Sequence, residues 1–228
     1  IFLAETSATT GGLDSLLQPV GPLKKAQNMA SRAFGSRQSY FVTNGTSTAN
    51  KIVVLAVVKP GDIVLVDRDC HKSHHYGMVL SGAHPVYLDS FHIRQYSMYG
   101  AVPLTAIKEK LLAFKDAGRL NEVKMCLLTN CTFDGVVYNV SQFMEEILAI
   151  KPDMIFLWDE AWFGYARFHS LFRQRTAMCA ADKLRNKYAS AEYRDHYEKC
   201  KSSNHHHHLP DPDQVKVRVY ATQSTHKT

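Results

Sequence analysis

Lys151-Pro152-Asp153-Met154-Ile155-Phe156-Leu157-Trp158-Asp159-Glu160-Ala161-Trp162 is the stretch that decides the fold. Its first two residues end an amphipathic segment, because proline cannot continue a helix and restricts the residue before it. The run Asp153 to Trp158 that follows is apolar at consecutive positions from Met154 onward. A strand with one wet face alternates apolar and polar residues, whereas a strand covered on both faces does not. The run therefore reads as an interior strand of a parallel sheet, and it ends on an acid, Asp159.

Five further short apolar, β-branched or aromatic runs read as strands: Tyr40 to Thr43, Asp62 to Val66, Pro85 to Leu88, Lys124 to Thr129 and Val215 to Tyr220. Helix-length segments lie between them. Gly21-Pro22 opens one, with Leu23, Ala26, Ala30, Ala33 and Phe34 at helical spacing and Gly35 as its stop. Pro103 opens another, with Leu104, Ile107, Leu111 and Phe114 inward and Gly118 at its end. Ser141 is placed to cap a third, with Phe143, Ile147 and Leu148 inward, and a long polar helix is expected from about Gln174 to Lys201. No internal repeat is present. Strands alternating with helices predict an α/β fold, a mostly parallel sheet sandwiched by helices, in one domain over 1–228.

Composition narrows the function. The chain has 228 residues, a formal charge of +6 and 45% apolar residues. Its longest apolar run, Ile52 to Val58, is far shorter than the roughly 20 residues a membrane helix needs. The surplus charge is mild, and basic residues interleave with acidic ones, as from Arg185 to Lys201. A solvated helix face is expected there, with no nucleic-acid partner and no membrane. Cys70, Cys126, Cys131, Cys179 and Cys200 are odd in number and form no C-x-x-C pair, which favours a reducing, cytoplasmic setting. Residues 202–214, with four histidines at His205 to His208, read as an exposed loop without a catalytic role. The ending at Ser224 to Thr228, directly after a strand-like run, suggests a fragment.

In an open parallel sheet the ligand sits beyond the carboxyl ends of the strands. Four of those ends carry chemistry. Asn44-Gly45-Thr46-Ser47-Thr48 sets a glycine and hydroxyls at a helix start, where free N–H groups and a positive dipole end can cradle a phosphate; a simple capped turn fits it too. Asp67-Arg68-Asp69-Cys70-His71-Lys72-Ser73-His74-His75 offers a histidine that can lie against an aromatic ligand or shuttle a proton. It also admits a locally bonded helix-start histidine, and no closed metal set is evident. Asp159 at the tip of an apolar strand needs a cation or a strong donor. Lys227, beside Ser224, Thr225 and His226, can lose its proton and form a Schiff base, although an ordinary strand-end lysine fits as well.

One ligand explains all four pieces jointly: pyridoxal phosphate, which needs a phosphate cradle, a stacking ring, an acid for its ring nitrogen and a Schiff-base lysine. The chain resembles the fold-type I pyridoxal-phosphate decarboxylases of ornithine, lysine and arginine, in their large bacterial form. The resemblance rests on Ser39 to Lys51, Asp67 to Ser73, Asp134-Gly135, Asp159 with Ala161-Trp162, and Ala221 to Lys227, in the family's order. It implies pyridoxal 5′-phosphate as cofactor, bound to Lys227. It also implies phosphate binding by Thr46, Ser47, Ser224 and the Gly45 amide with help from His226, a ring-nitrogen contact from Asp159, and stacking by His71. Ala161, with Trp162 alongside, packs on the other ring face in this scheme, and the loop Asn130 to Asp134 lies nearby. Lys227, His71 and His226 are the expected catalytic residues, with Lys227 or His226 returning a proton to Cα. The resemblance further implies a homodimer or higher homo-oligomer with the site at its interface, a small-molecule amino-acid substrate, and a large domain here incomplete. The small domain that reads the substrate's distal amine or guanidinium is expected to be missing, so the fragment alone is expected to be inactive. The region from about Arg173 to Gln214 is longer and more polar than in well-known members. An aminotransferase of the same fold, or a decarboxylase-like regulatory protein without catalysis, is the alternative.

Overall fold

A computed structural model describes residues 11–202 and 209–227. The chain divides into two units, Ile1–Thr43 and Asn44–Thr228. In the first, α1 spans Pro22–Phe34, as its punctuation predicts, and Gly35 closes it at φ 74°. The carboxylate of Asp14 accepts hydrogen bonds from the amides of Val20, Gly21 and Lys24 at 2.8, 2.8 and 3.2 Å, which supplies acceptors to an uncapped helix start. Tyr40 to Thr43 is not a strand. Without ladder hydrogen bonds the segment remains a connector.

The second unit runs α2 (Gly45–Val57), β1 (Ile63–Asp67), α3 (Lys72–Ser81), β2 (His84–Leu88), a short antiparallel hairpin of β3 (His92–Ile93) and β4 (Met98–Tyr99), and α4 (Leu104–Asp116). It continues through β5 (Val123–Thr129), α5 (Val140–Ile150), β6 (Ile155–Glu160), α6 (Ala177–Ala189), α7 (Ala191–Ser202) and β7 (Arg218–Gln223). The sheet has the order β2-β1-β5-β6-β7, with every pairing parallel. The chain leaves β1 toward β2 and returns on the other side to β5, so the strand order reverses between β1 and β5, the place at which sheets of this kind bind ligands.

Consecutive apolar positions serve two cores. Val64, Val66, Met125, Leu127, Ile155 and Leu157 pack with Val54 of α2 and Met78 of α3 on one face. Ile63, Leu65, Cys126, Leu128, Phe156 and Trp158 pack with Ile107, Leu111, Met144, Ile147, Ala180 and Leu184 on the other. Each fully buried side chain of this size contributes about 1.5–3 kcal/mol relative to exposure. Gly77 allows α3 to lie close on α2, since a Cβ there would stand 3.2 Å from Val54 Cβ.

Four boundaries differ from expectation by more than one residue. The strand read at Asp153 to Trp158 is β6, two residues further on, because Lys151 closes α5 and its ammonium reaches the Asp153 carboxylate at 2.7 Å. The run read at Val215 to Tyr220 is β7, Arg218–Gln223, because its rungs are set by its partner, from Ile155↔Arg218 to Glu160↔Gln223. Ser141 lies inside α5, whose N-cap is Asn139. The long polar helix is two, broken at Ser190: its hydroxyl donates to Lys187 O at 2.7 Å and accepts from Tyr193 N at 3.2 Å, so it stops one helix and starts the next. Within the segment read as a loop over 202–214, the described residue Pro210 is buried and its carbonyl accepts from Tyr193 Oη at 2.8 Å. The four histidines lie outside the described residues.

Candidate active site

Asp159 stands at the end of β6 with its side chain 4% exposed. Its Oδ2 accepts from Asn50 Nδ2 at 2.8 Å and from His74 Nε2 at 2.9 Å, and its Oδ1 accepts from the Ala161 amide at 3.0 Å. Burial raises the carboxyl's pKa, but the His74 hydrogen bond and charge, Asn50 and the Ala161 amide outweigh it and hold Asp159 below the usual range. A carboxylate offers about four acceptor positions; three are filled, and Oδ1 keeps one. The group is a fixed, ionised acceptor with capacity for one more donor.

Its partners are themselves fixed. Asn50 Nδ2 also reaches Ser73 Oγ at 3.1 Å, and Asn50 Oδ1 accepts from Thr222 Oγ1 of β7 at 2.6 Å. His74 is fully buried, and its Nδ1 has no partner among the described residues. The close contact of α3 with α2 at Gly77 is what brings Ser73 and His74 to Asn50.

At the neighbouring corner Asn44 and Gly45 take left-handed φ values of 65° and 74° and turn the chain into α2. No side chain caps this 13-residue helix and no acid occupies its first turn, so its leading amides face an anion-favouring end. The hydroxyls of Thr46 and Ser224 are buried and hydrogen bonded to each other, which joins the α2 start to the β7 exit. Ser47 is half-buried beside them.

Lys227 places its Nζ 4.7 Å from the centre of the Trp162 ring, and Phe133 meets that ring edge-on at 6.0 Å. His71 caps α3: its Nδ1 lies 2.9 Å from Ser73 Oγ and accepts from Ser73 N at 3.3 Å. Burial lowers its pKa, the Asp159 charge opposes this, and His74, Lys227 and Lys72 add to the lowering. Ala161 is buried and His226 is exposed.

The expected residues therefore gather at the ends of β1, β6 and β7 and the start of α2. The histidine run does not form one group: His74 turns to Asp159, His75 lies between Cys70 Sγ at 3.5 Å and Tyr87 Oη at 3.2 Å, and His71 turns to Ser73. Among the described residues no set of three or more His, Cys, Asp or Glu side chains could hold a metal ion. Sequence reasoning gave no role to Asn50, Ser73, Thr222 or Glu160, and placed Asn130 only in a loop expected near the ring. Asn50 lies one helical turn beyond Thr46; Thr222 and Glu160 carried no local signal, because Asn50 and Gln223, which they bond, are distant in the chain, whereas Ser73 bonds His71 two residues away.

Comparison with known proteins agrees with this architecture. A family model described as Orn/Lys/Arg decarboxylase, major domain, matches residues 1–199. The lysine decarboxylase LdcA of Pseudomonas aeruginosa is 38% identical over 181 residues, 77% of this chain and 24% of its own length. The biodegradative arginine decarboxylase of Escherichia coli (strain K12) is 35% identical over 187 residues, 78% of this chain and 24% of its own. The solved structure of lysine decarboxylase A from Pseudomonas aeruginosa superposes with a TM-score of 0.70 at 34% identity, over 96% of this chain and 26% of that one. The chain thus spans about a quarter of the length of these relatives. Gly45 to Ser47, His71 and Asp159 to Trp162 fall inside the family match, while Ser224, His226 and Lys227 follow it.

Proposed function

The chain belongs to the Orn/Lys/Arg decarboxylase family, and from that premise we propose that its strand-end site holds pyridoxal 5′-phosphate and serves the decarboxylation of ornithine, lysine or arginine to the corresponding amine and CO₂. The observation that carries the reading is Asp159. A buried carboxylate held ionised by three donors, with one acceptor position to spare, suits a protonated pyridine nitrogen.

The other residues fit the same ligand. The α2 amides from Gly45, the hydroxyls of Thr46, Ser47 and Ser224, and nearby His226 make a donor set for a phosphate dianion. His71 on one side and Ala161 with Trp162 on the other would bound a flat ring, and Lys227, whose Nζ lies 4.7 Å from the centre of the Trp162 ring, is the lysine that would hold the cofactor. When bound, pyridoxal phosphate supplies an electron sink for the charge left by CO₂. Asp159 supports that sink by keeping a proton on the ring nitrogen, an electrostatic contribution that grows in the transition state. Lys227 Nζ or His226, both just beyond β7 in the sequence, would return a proton to Cα. Residues reading the substrate's distal amine or guanidinium are proposed to lie in the remainder of the full-length protein, which we infer to be a cytoplasmic homodimer or higher homo-oligomer of amino-acid and polyamine metabolism.

The test is a visible spectrum of the full-length protein with added cofactor. A band present in wild type and absent in Lys227→Ala is expected; no band in wild type overturns the reading. CO₂ release measured in parallel from ornithine, lysine and arginine then identifies the substrate, and silence with all three contradicts decarboxylation.

A further inference from the structure

Glu160 is fully buried at the tip of β6 and faces away from Asp159, since successive strand residues point to opposite sides. Its Oε1 accepts from Asn130 Nδ2 at 3.0 Å and from the Ala177 amide at 2.7 Å, and its Oε2 accepts from Gln223 Nε2 at 2.9 Å. These donors sit at the exit of β5, the first residue of α6 and the last residue of β7. Asn130 extends the web: its Nδ2 reaches Arg175 O at 2.9 Å, its Oδ1 accepts from Tyr138 N at 3.2 Å, and its amide donates to Asp159 O at 2.9 Å.

The two last rungs of the β6–β7 ladder are Asp159↔Thr222 and Glu160↔Gln223. Asn50 links the first pair on one face of the sheet, and Glu160 and Gln223 bond directly on the other. Ser224 follows Gln223 at once, and Lys227 lies four residues beyond it. A carboxyl buried among neutral donors is costly; here its hydrogen bonds tie together the strand ends that carry the site.

We propose that Glu160 is a positioning residue: through Asn130 and Gln223 it fixes the spacing of the β5, β6 and β7 exits, and so sets where Ser224 and Lys227 stand relative to Asp159. The proposal rests on the reading that Asp159 and Lys227 hold pyridoxal phosphate. It requires hydrogen bonds and no charge on Glu160. Burial holds this carboxyl above the usual range against its three donors, and a protonated Oε2 can donate to a Gln223 carboxamide that has turned over.

The test uses the full-length enzyme loaded with pyridoxal phosphate. Gln223→Leu cuts only the tie to β7. It is expected to speed cofactor loss on dilution by about tenfold and to shift the pH midpoint of the Lys227-dependent visible band, with a cofactor-free melting temperature close to wild type. Glu160→Gln keeps an oxygen for Asn130 and Ala177 and turns an N–H to Gln223, so it is expected to retain the wild-type midpoint and rate of loss. Wild-type values in Gln223→Leu, or a lowered melting temperature with midpoint and cofactor loss unchanged, would overturn the proposal. So would cofactor loss from Glu160→Gln as fast as from Gln223→Leu. A wild-type enzyme with no visible band would instead strike the cofactor reading and this proposal with it.

Discussion

Replacing Asp159 by asparagine changes almost no volume and reverses one hydrogen-bonding position. All three present partners donate: Asn50 Nδ2 at 2.8 Å, His74 Nε2 at 2.9 Å and Ala161 N at 3.0 Å. Either orientation of the new amide sets its NH₂ against a donor. His74 can move its proton to Nδ1, which lacks a partner among the described residues. Asn50 cannot turn over freely, because its Oδ1 is bonded to Thr222 Oγ1 and its Nδ2 to Ser73 Oγ. The Ala161 amide cannot reverse at all. One buried donor is left unmatched, a loss of about 1–3 kcal/mol in folding stability. On the proposed function, catalysis would lose the charge that keeps a bound cofactor's ring nitrogen protonated, and removing one preorganised electrostatic partner costs about 10²–10³ in kcat. Steady-state CO₂ release and urea unfolding of full-length wild type and Asp159→Asn measure both quantities. A rate within tenfold of wild type would refute the assigned role, and unchanged stability would refute the donor arithmetic.

The same geometry makes further predictions. Thr46→Val removes one of the two paired hydroxyls at the α2 start; a titration of cofactor into apoenzyme is expected to show about tenfold weaker binding, equivalent to about 1.4 kcal/mol. Leu157→Ala empties a fully buried position under α2 and α3, and chemical denaturation is expected to show a loss of about 2–5 kcal/mol. The two neighbouring acids respond to pH with opposite signs. Asp159, whose folded pKa is depressed, contributes stability that is present above its ordinary value of 3.8 and lost as pH falls through the folded pKa. Glu160, whose folded pKa is raised above 4.5, costs stability as pH rises through that window. Glu160→Gln mimics the protonated form, so its melting temperature is expected to match wild type in acid and exceed it at neutral pH; a difference confined to acid would reverse the sign.

Much of this architecture was legible because it is local. The consecutive apolar residues of β1, β5 and β6 announce strands covered on both faces, and proline at the start with glycine at the end marks α1 completely. The glycine and hydroxyls before α2, and the acid after β6, were readable as strand-end chemistry. What escaped is set by partners far away in the chain. The limits of β7 follow β6, residue for residue, which nothing inside Val215 to Tyr220 reveals. Tyr40 to Thr43 has strand-like residues and forms no strand. Ser190 divides one polar helix into two by hydrogen bonding on both sides, and serine at a helix surface looks the same before folding. Asn50 and Glu160 received no role in the sequence, because Asn50 lies 109 residues from Asp159 and Glu160 63 residues from Gln223 in their hydrogen-bonded pairs.

The central claim, that this strand-end site is built around a Schiff-base lysine, is tested most directly by borohydride reduction of the full-length enzyme loaded with pyridoxal phosphate, followed by peptide mass mapping. A single reduced cofactor adduct on the peptide carrying Lys227, absent from Lys227→Ala, is the predicted result. An adduct on another lysine, or none, would contradict it.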